Sequence, residues 1–71
     1  MDEIIRRLYK AIWYERQSLT EDGWQFVDRY SDDTILEYRL KRNEHWIWLQ
    51  LNFSEARVFL FRDGKLRKTI T

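Results

Sequence analysis

Cysteine and proline are absent from this chain, histidine occurs once and glycine only twice, at 23 and 64. Without Cys there is no disulfide staple and no thiolate nucleophile. With His45 alone and no Cys, the usual ligand set of a structural zinc site is missing. Two glycines leave no Gly-rich phosphate loop. They also leave no linker, and neither a low-complexity tract nor an internal repeat is visible. No apolar run reaches the roughly 18 residues of a membrane span. The start, Met1-Asp2-Glu3, is acidic and runs straight into helical pattern, unlike a secretory signal. A cytoplasmic placement is therefore expected, with no membrane partner.

Aromatic residues are abundant: four Trp, four Tyr and four Phe among 71 residues. A chain of this length, read as one domain over residues 1–71, lies near the lower limit for folding without a staple. Its stability must come from an apolar core or from self-association, and aromatics bury large areas per residue. Net charge is +1, unevenly spread. Residues 1–37 hold nine acids and five bases, whereas residues 38–71 hold three acids and eight bases. The second half is a basic end.

Residues 2–18 have the spacing of an amphipathic helix, with Ile5, Leu8, Tyr9 and Ile12 at i, i+3, i+4 and i+7. Ile4 and Trp13 widen the stripe. Asp2 and Glu3 suit the positive end of the helix dipole. Thr20-Glu21-Asp22-Gly23 ends the helix and turns the chain. After Gly23 the period becomes two. Strands are predicted at about 24–30, 34–41, 45–53, 56–62 and 65–70, joined at Ser31-Asp32-Asp33, at Lys41 to Glu44, at Ser54-Glu55 and at Asp63-Gly64. Asp-Gly between apolar strands is a strong hairpin signal. The predicted fold is α+β: one N-terminal helix on one face of an antiparallel meander of four or five strands.

Turn lengths give trial registers. The first hairpin pairs Phe26 with Tyr38 and Trp24 with Leu40. The second pairs Tyr38 with Ile47 and Leu36 with Leu49. The third pairs Leu51 with Val58 and Leu49 with Leu60. All three place apolar residues on one face: Trp24, Phe26, Leu36, Tyr38, Leu40, Ile47, Leu49, Leu51, Phe53, Val58 and Leu60. In this register Asp28 points to the helix side, near Leu36, where Arg16 or Arg6 can meet it. For the last hairpin two alternatives stand. A plain turn at Asp63-Gly64 puts Leu66 and Ile70 on the opposite face; a Gly bulge returns them to the core side.

The opposite face then collects Gln25, Val27 and Arg29; Ile35, Glu37 and Arg39; Trp46, Trp48 and Gln50; Arg57, Phe59 and Phe61. Trp46, Trp48, Phe59 and Phe61 should cluster there, with Trp48 opposite Phe61, Arg39 across from Trp46 and Arg57 beside Phe59. One helix covers only one face of a sheet. This group is either a second small core with Leu66 and Ile70 or a contact surface. Aromatics with Arg are interface composition, so contact with another protein or a second copy is the first expectation. The alternative is single-stranded nucleic acid, its bases stacked on the strand-borne aromatics and its phosphates met by Lys41, Arg42, Arg62, Lys65, Arg67 and Lys68. The nearly neutral total charge weighs against that alternative, and the same basic run also reads as protection of an edge strand.

No catalytic constellation stands out. His45 lacks a nucleophile at a recognisable spacing, and Asp32-Asp33 reads as turn chemistry rather than a calcium loop. No enzyme, cofactor, metal or small-molecule substrate is expected. The chain reads as a small binding module of the accessory or inhibitor type, or as a homo-oligomer.

Overall fold

A computed structural model describes residues 2–71. Helix α1 spans Glu3–Glu21. Asp2 caps it: its Oδ1 accepts from the Ile4 amide at 2.9 Å, satisfying one of the free donors of the first turn. The helix runs three residues beyond the predicted 18 because its end is built by backbone. Gly23 adopts φ +93°, the left-handed conformation that glycine takes at no steric cost. Its amide donates to Thr20 O at 3.2 Å and the Trp24 amide to Leu19 O at 3.0 Å. These two bonds form a Schellman motif and bring Trp24 back under the last turn.

The described residues form five strands: β1 Gln25–Ser31, β2 Ile35–Arg42, β3 His45–Asn52, β4 Arg57–Arg62 and β5 Lys65–Ile70. They make one antiparallel sheet in the order β1-β2-β3-β4-β5. The helix lies over β3 and β4. Leu8 and Ile12 on its inner stripe meet Trp24, Leu36, Leu40, Ile47, Leu49, Leu51 and Val58, all buried. The α+β meander predicted from periodicity is the fold.

The registers explain which faces were assigned well. The third hairpin pairs Leu51 with Val58, Leu49 with Leu60 and Trp48 with Phe61, as the spacing predicts. The second is shifted by two residues: Leu36 faces Leu51, Tyr38 faces Leu49 and Leu40 faces Ile47. The four-residue connection at 41–44 is in fact a two-residue turn, Asn43-Glu44, with Asn43 at φ +57°. A shift of two leaves every side chain on its predicted face.

The first hairpin needs a larger correction. Phe26 pairs with Leu40 rather than Tyr38, and a bulge at Val27 interrupts the ladder before Asp28 pairs with Arg39. The extra residue reverses the alternation. Asp28 therefore sits opposite Arg39 on the face away from the helix, not near Leu36. Arg29, expected on that outer face, pairs with Tyr38 on the helix side. The helix does not reach across β1, and Phe26 stays 44 % exposed. Arg16 covers it instead, its guanidinium 5.0 Å from both the Phe26 and Tyr38 rings.

In the last hairpin neither alternative holds alone. Asp63 and Gly64 both have positive φ, +51° and +82°, as a two-residue hairpin turn of the primed type requires. Leu66 accordingly pairs with Phe61 on the outer face. A bulge then falls at Arg67, after which Lys68 pairs with Leu60 and Ile70 with Val58. Leu66 is outside and Ile70 packs on the core.

Candidate functional site

Strand alternation after these corrections sets out rows of side chains on the face away from α1. One row crosses all five strands: Asp28, Arg39, Trp48, Phe61 and Leu66. The next runs Tyr30, Glu37, Gln50, Phe59 and Thr69. Lys41 and Trp46 pair on the side nearer Asp63, and Asn52 and Arg57 on the far side. Trp48 is 39 % exposed and Leu66 53 %, whereas Trp46, Phe59 and Phe61 are half-buried. The Phe59 and Phe61 rings stand 6.3 Å apart, tilted by 46°. No described element covers these rows.

The four aromatics singled out from sequence thus share one face. Their polar partners differ from expectation. Arg39 lies opposite Trp48, not Trp46, because of the two-residue shift of the β2–β3 register. Lys41 takes the place beside Trp46, its Nζ 5.3 Å from the ring centre, a cation–π distance. Arg57 is exposed beyond Phe59, opposite Asn52.

At the centre stands a residue not singled out before. Glu37 is only 6 % exposed although it lies on an uncovered sheet face. Gln50 Nε2 donates to its Oε1 at 2.6 Å and Arg39 Nε to its Oε2 at 2.7 Å. Both carboxylate oxygens are satisfied, as burial of a charge requires. The bond to Glu37 also holds the Arg39 guanidinium proton more firmly than usual. Strand alternation places Glu37 on this face, but a lone Glu in an alternating strand carries no signal of burial. Beside it, Val27, Asp28, Arg39, Trp46 and Trp48 line a shallow, mostly apolar cleft of about 270 Å³.

The six basic residues of the nucleic-acid alternative do not gather here. Only Lys41 does. Arg42 and Arg62 lie on the helix side with their guanidinium carbons 4.7 and 5.4 Å from the Trp24 ring centre. Arg42 also binds Asp22 Oδ2 at 2.9 Å. Lys68 pairs with Glu15 of the helix at 2.6 Å. Arg67 faces the same side, and Lys65 is exposed beside the last turn.

Two further groups have structural partners. His45 Nδ1 is 2.8 Å from Asp63 Oδ2, while Asp63 Oδ1 accepts from the Trp46 amide at 2.9 Å. The amide bond first, and the His45 contact second, hold the Asp63 carboxyl below the usual range. Asp32 accepts from the amides of Ile35 and Thr34, the Thr34 hydroxyl and the Tyr30 hydroxyl. Those bonds depress its pKa strongly, and the Asp32 carboxylate raises that of Tyr30. This is the turn chemistry read from Ser31-Asp32-Asp33.

No family model matches the chain, and no curated protein or solved structure matches it either.

Proposed function

We propose that the chain is a small non-enzymatic binding module that engages a protein, either another chain or a second copy, through the sheet face centred on Trp48. The observation that carries this reading is the uncovered row Arg39–Trp48–Phe61–Leu66. It joins an Arg, two aromatics and an aliphatic residue across four strands, the composition of an interface centre. Glu37 adds preorganisation. By fixing Arg39 before any partner arrives, it lowers the entropy lost on binding.

The edges of the sheet support face contact over strand addition. β1 and β5 are the two edge strands, and each carries a bulge, at Val27 and at Arg67. β5 adds Lys65, Arg67 and Lys68. Bulges and edge cations oppose pairing with a further strand. For single-stranded nucleic acid the support is weaker. Arg39 is engaged by Glu37, and five of the six other cations lie off the aromatic face. Lys41 and Arg57 alone on the aromatic face give little purchase on a phosphate backbone.

Light scattering over a concentration series, paired with Trp48→Ala, tests the reading. A mass of twice 9.0 kDa that reverts to the single-chain value in Trp48→Ala assigns the face to a second copy. A constant single-chain mass with quenchable Trp48 leaves it open for another protein. Unfolding of Trp48→Ala would sink the proposal, because the row would then be core.

A further inference from the structure

Behind the sheet face, at the C-terminal end of α1, three arginines converge. Arg42, Arg62 and Arg67 line one cleft of about 450 Å³, floored by Trp24 and Leu60 and rimmed by Asp22. They come from three strands, β2, β4 and β5. Three guanidinium groups repel one another, and the fold holds two of them against one ring. Trp24 is only 3 % exposed and gives Arg42 and Arg62 a common aromatic platform. Asp22 fixes Arg42, and both bonds, to its main-chain O at 2.8 Å and to Oδ2 at 2.9 Å, use Nη1 alone. Among the described residues its Nε and Nη2 make no hydrogen bond. Arg62 and Arg67 have no carboxylate within ion-pair distance among the described residues.

The bulge in β5 supplies a second, independent observation. Leu66 faces outward with Phe61, and Lys68 faces inward with Leu60. The inserted residue, Arg67, also faces inward and lines the cleft. Two consecutive basic residues thus lie on the helix side, which a regular strand does not allow. Lys68 is taken by Glu15 of the helix. Among the described residues Arg67 has no ion-pair partner, and it completes the cleft. Bulges commonly re-aim a side chain next to a binding site.

We propose that this cleft binds a phosphate-type oxyanion. Against three arginines stands one carboxylate, so the lining has a net charge of +2 that a phosphate dianion balances. Planar guanidinium forks match its oxygens in pairs. The site is distinct from the Trp48 face and stands or falls without it.

The test is a titration of the full chain with inorganic phosphate, followed by NMR of the Arg Nε–Hε and Trp indole signals. The expected result is a saturable shift of the Arg62, Arg67 and Trp24 signals, tighter than about 10 mM. Chloride at equal ionic strength should not reproduce it, and Trp48→Ala should leave it intact. Arg67→Gln should weaken it about tenfold. Arg67 is exposed at a bulge, so this variant keeps the fold. Arg62→Lys, which retains the cation over Trp24 but loses the fork, gives an independent second loss. Vesicles of phosphatidylcholine with phosphatidic acid separate the sources. Co-sedimentation that disappears in Arg67→Gln assigns a lipid headgroup, and phosphate binding without co-sedimentation assigns a soluble phosphate ester. A linear shift equal to that in chloride, an undiminished shift in Arg67→Gln, or binding of a single-stranded oligonucleotide without binding of free phosphate would each overturn the proposal.

Discussion

Glu37 shows how a single residue can tie stability to the proposed interface. Its carboxylate satisfies Gln50 and orients Arg39, so Glu37→Ala leaves the Gln50 amide without its partner in a half-buried setting. A cost of about 1–3 kcal/mol is expected for such a loss, read as a lower urea midpoint at unchanged slope. The same variant frees Arg39, so partner affinity should fall even where the fold survives. An unchanged midpoint would show that water replaces the carboxylate and that the site is less dry than its 6 % exposure implies. Leu49 is the contrasting case. It is fully buried beneath the helix, and Leu49→Ala should cost about 2–5 kcal/mol. In a domain this small that is a large part of total stability, so broad unfolding by circular dichroism is expected. Asp32 makes pH a lever on the first hairpin. Its folded pKa lies below the unfolded value, so its contribution is present above about pH 4 and is lost as pH falls through the folded pKa. Amide exchange at Thr34 and Ile35 should accelerate under acid before the core strands open, and Asp32→Ala should show that fast exchange already at neutral pH. Equal protection in wild type and variant would remove Asp32 from the hairpin's stability.

At the scale of elements, the two bulges decide what could be read in advance. The alternation of β3 and β4 is unbroken, and Ser54-Glu55 leaves one turn length, so Trp48 was placed opposite Phe61 from spacing alone. Lys41 and Arg42 look like loop residues by composition, yet they continue β2, which moved Arg39 from Trp46 to Trp48 without changing faces. The bulge at Val27 left no trace in composition, because an apolar residue fits either side, and Asp28 and Arg29 exchanged faces as a result. The bulge at Arg67 had no signal of its own position, because a solvent-exposed Arg on an edge strand fits either side, and so the separation of Leu66 from Ile70 was hidden. This geometry gives a sharp prediction. Deleting Arg67 restores plain alternation while keeping Leu66 opposite Phe61, Lys68 opposite Leu60 and Ile70 opposite Val58. The variant should keep the far-ultraviolet dichroism of the parent. It should also present a flatter edge strand, and so scatter more light as concentration rises. Loss of the fold on deletion would mean that the bulge is needed to close the sheet against the helix rather than to guard its edge.

For the whole molecule, the four tryptophans report on separate surfaces, and that allows the binding face to be located without knowing the partner. Trp24 is buried under α1 at 3 % exposure, Trp13 is 46 % exposed on the helix, Trp48 is 39 % exposed on the outer sheet face and Trp46 is half-buried beside it. Acrylamide should therefore divide the fluorescence into an accessible class, dominated by Trp13 and Trp48, and a protected class containing Trp24. The Trp13→Phe variant removes the helix reporter and leaves Trp48 as the main accessible one. Association through the outer face, with a second copy or with another protein, should lower the quenching of that variant as concentration or partner is raised. In the reciprocal Trp48→Phe variant, where Trp13 remains, quenching should stay constant. If instead Trp13 is shielded while Trp48 stays open, the working surface is the helix edge beside Tyr9, Tyr14 and Tyr38, which line a cleft with Trp13. The sheet face would then be a half-closed second core, held by Glu37 from within.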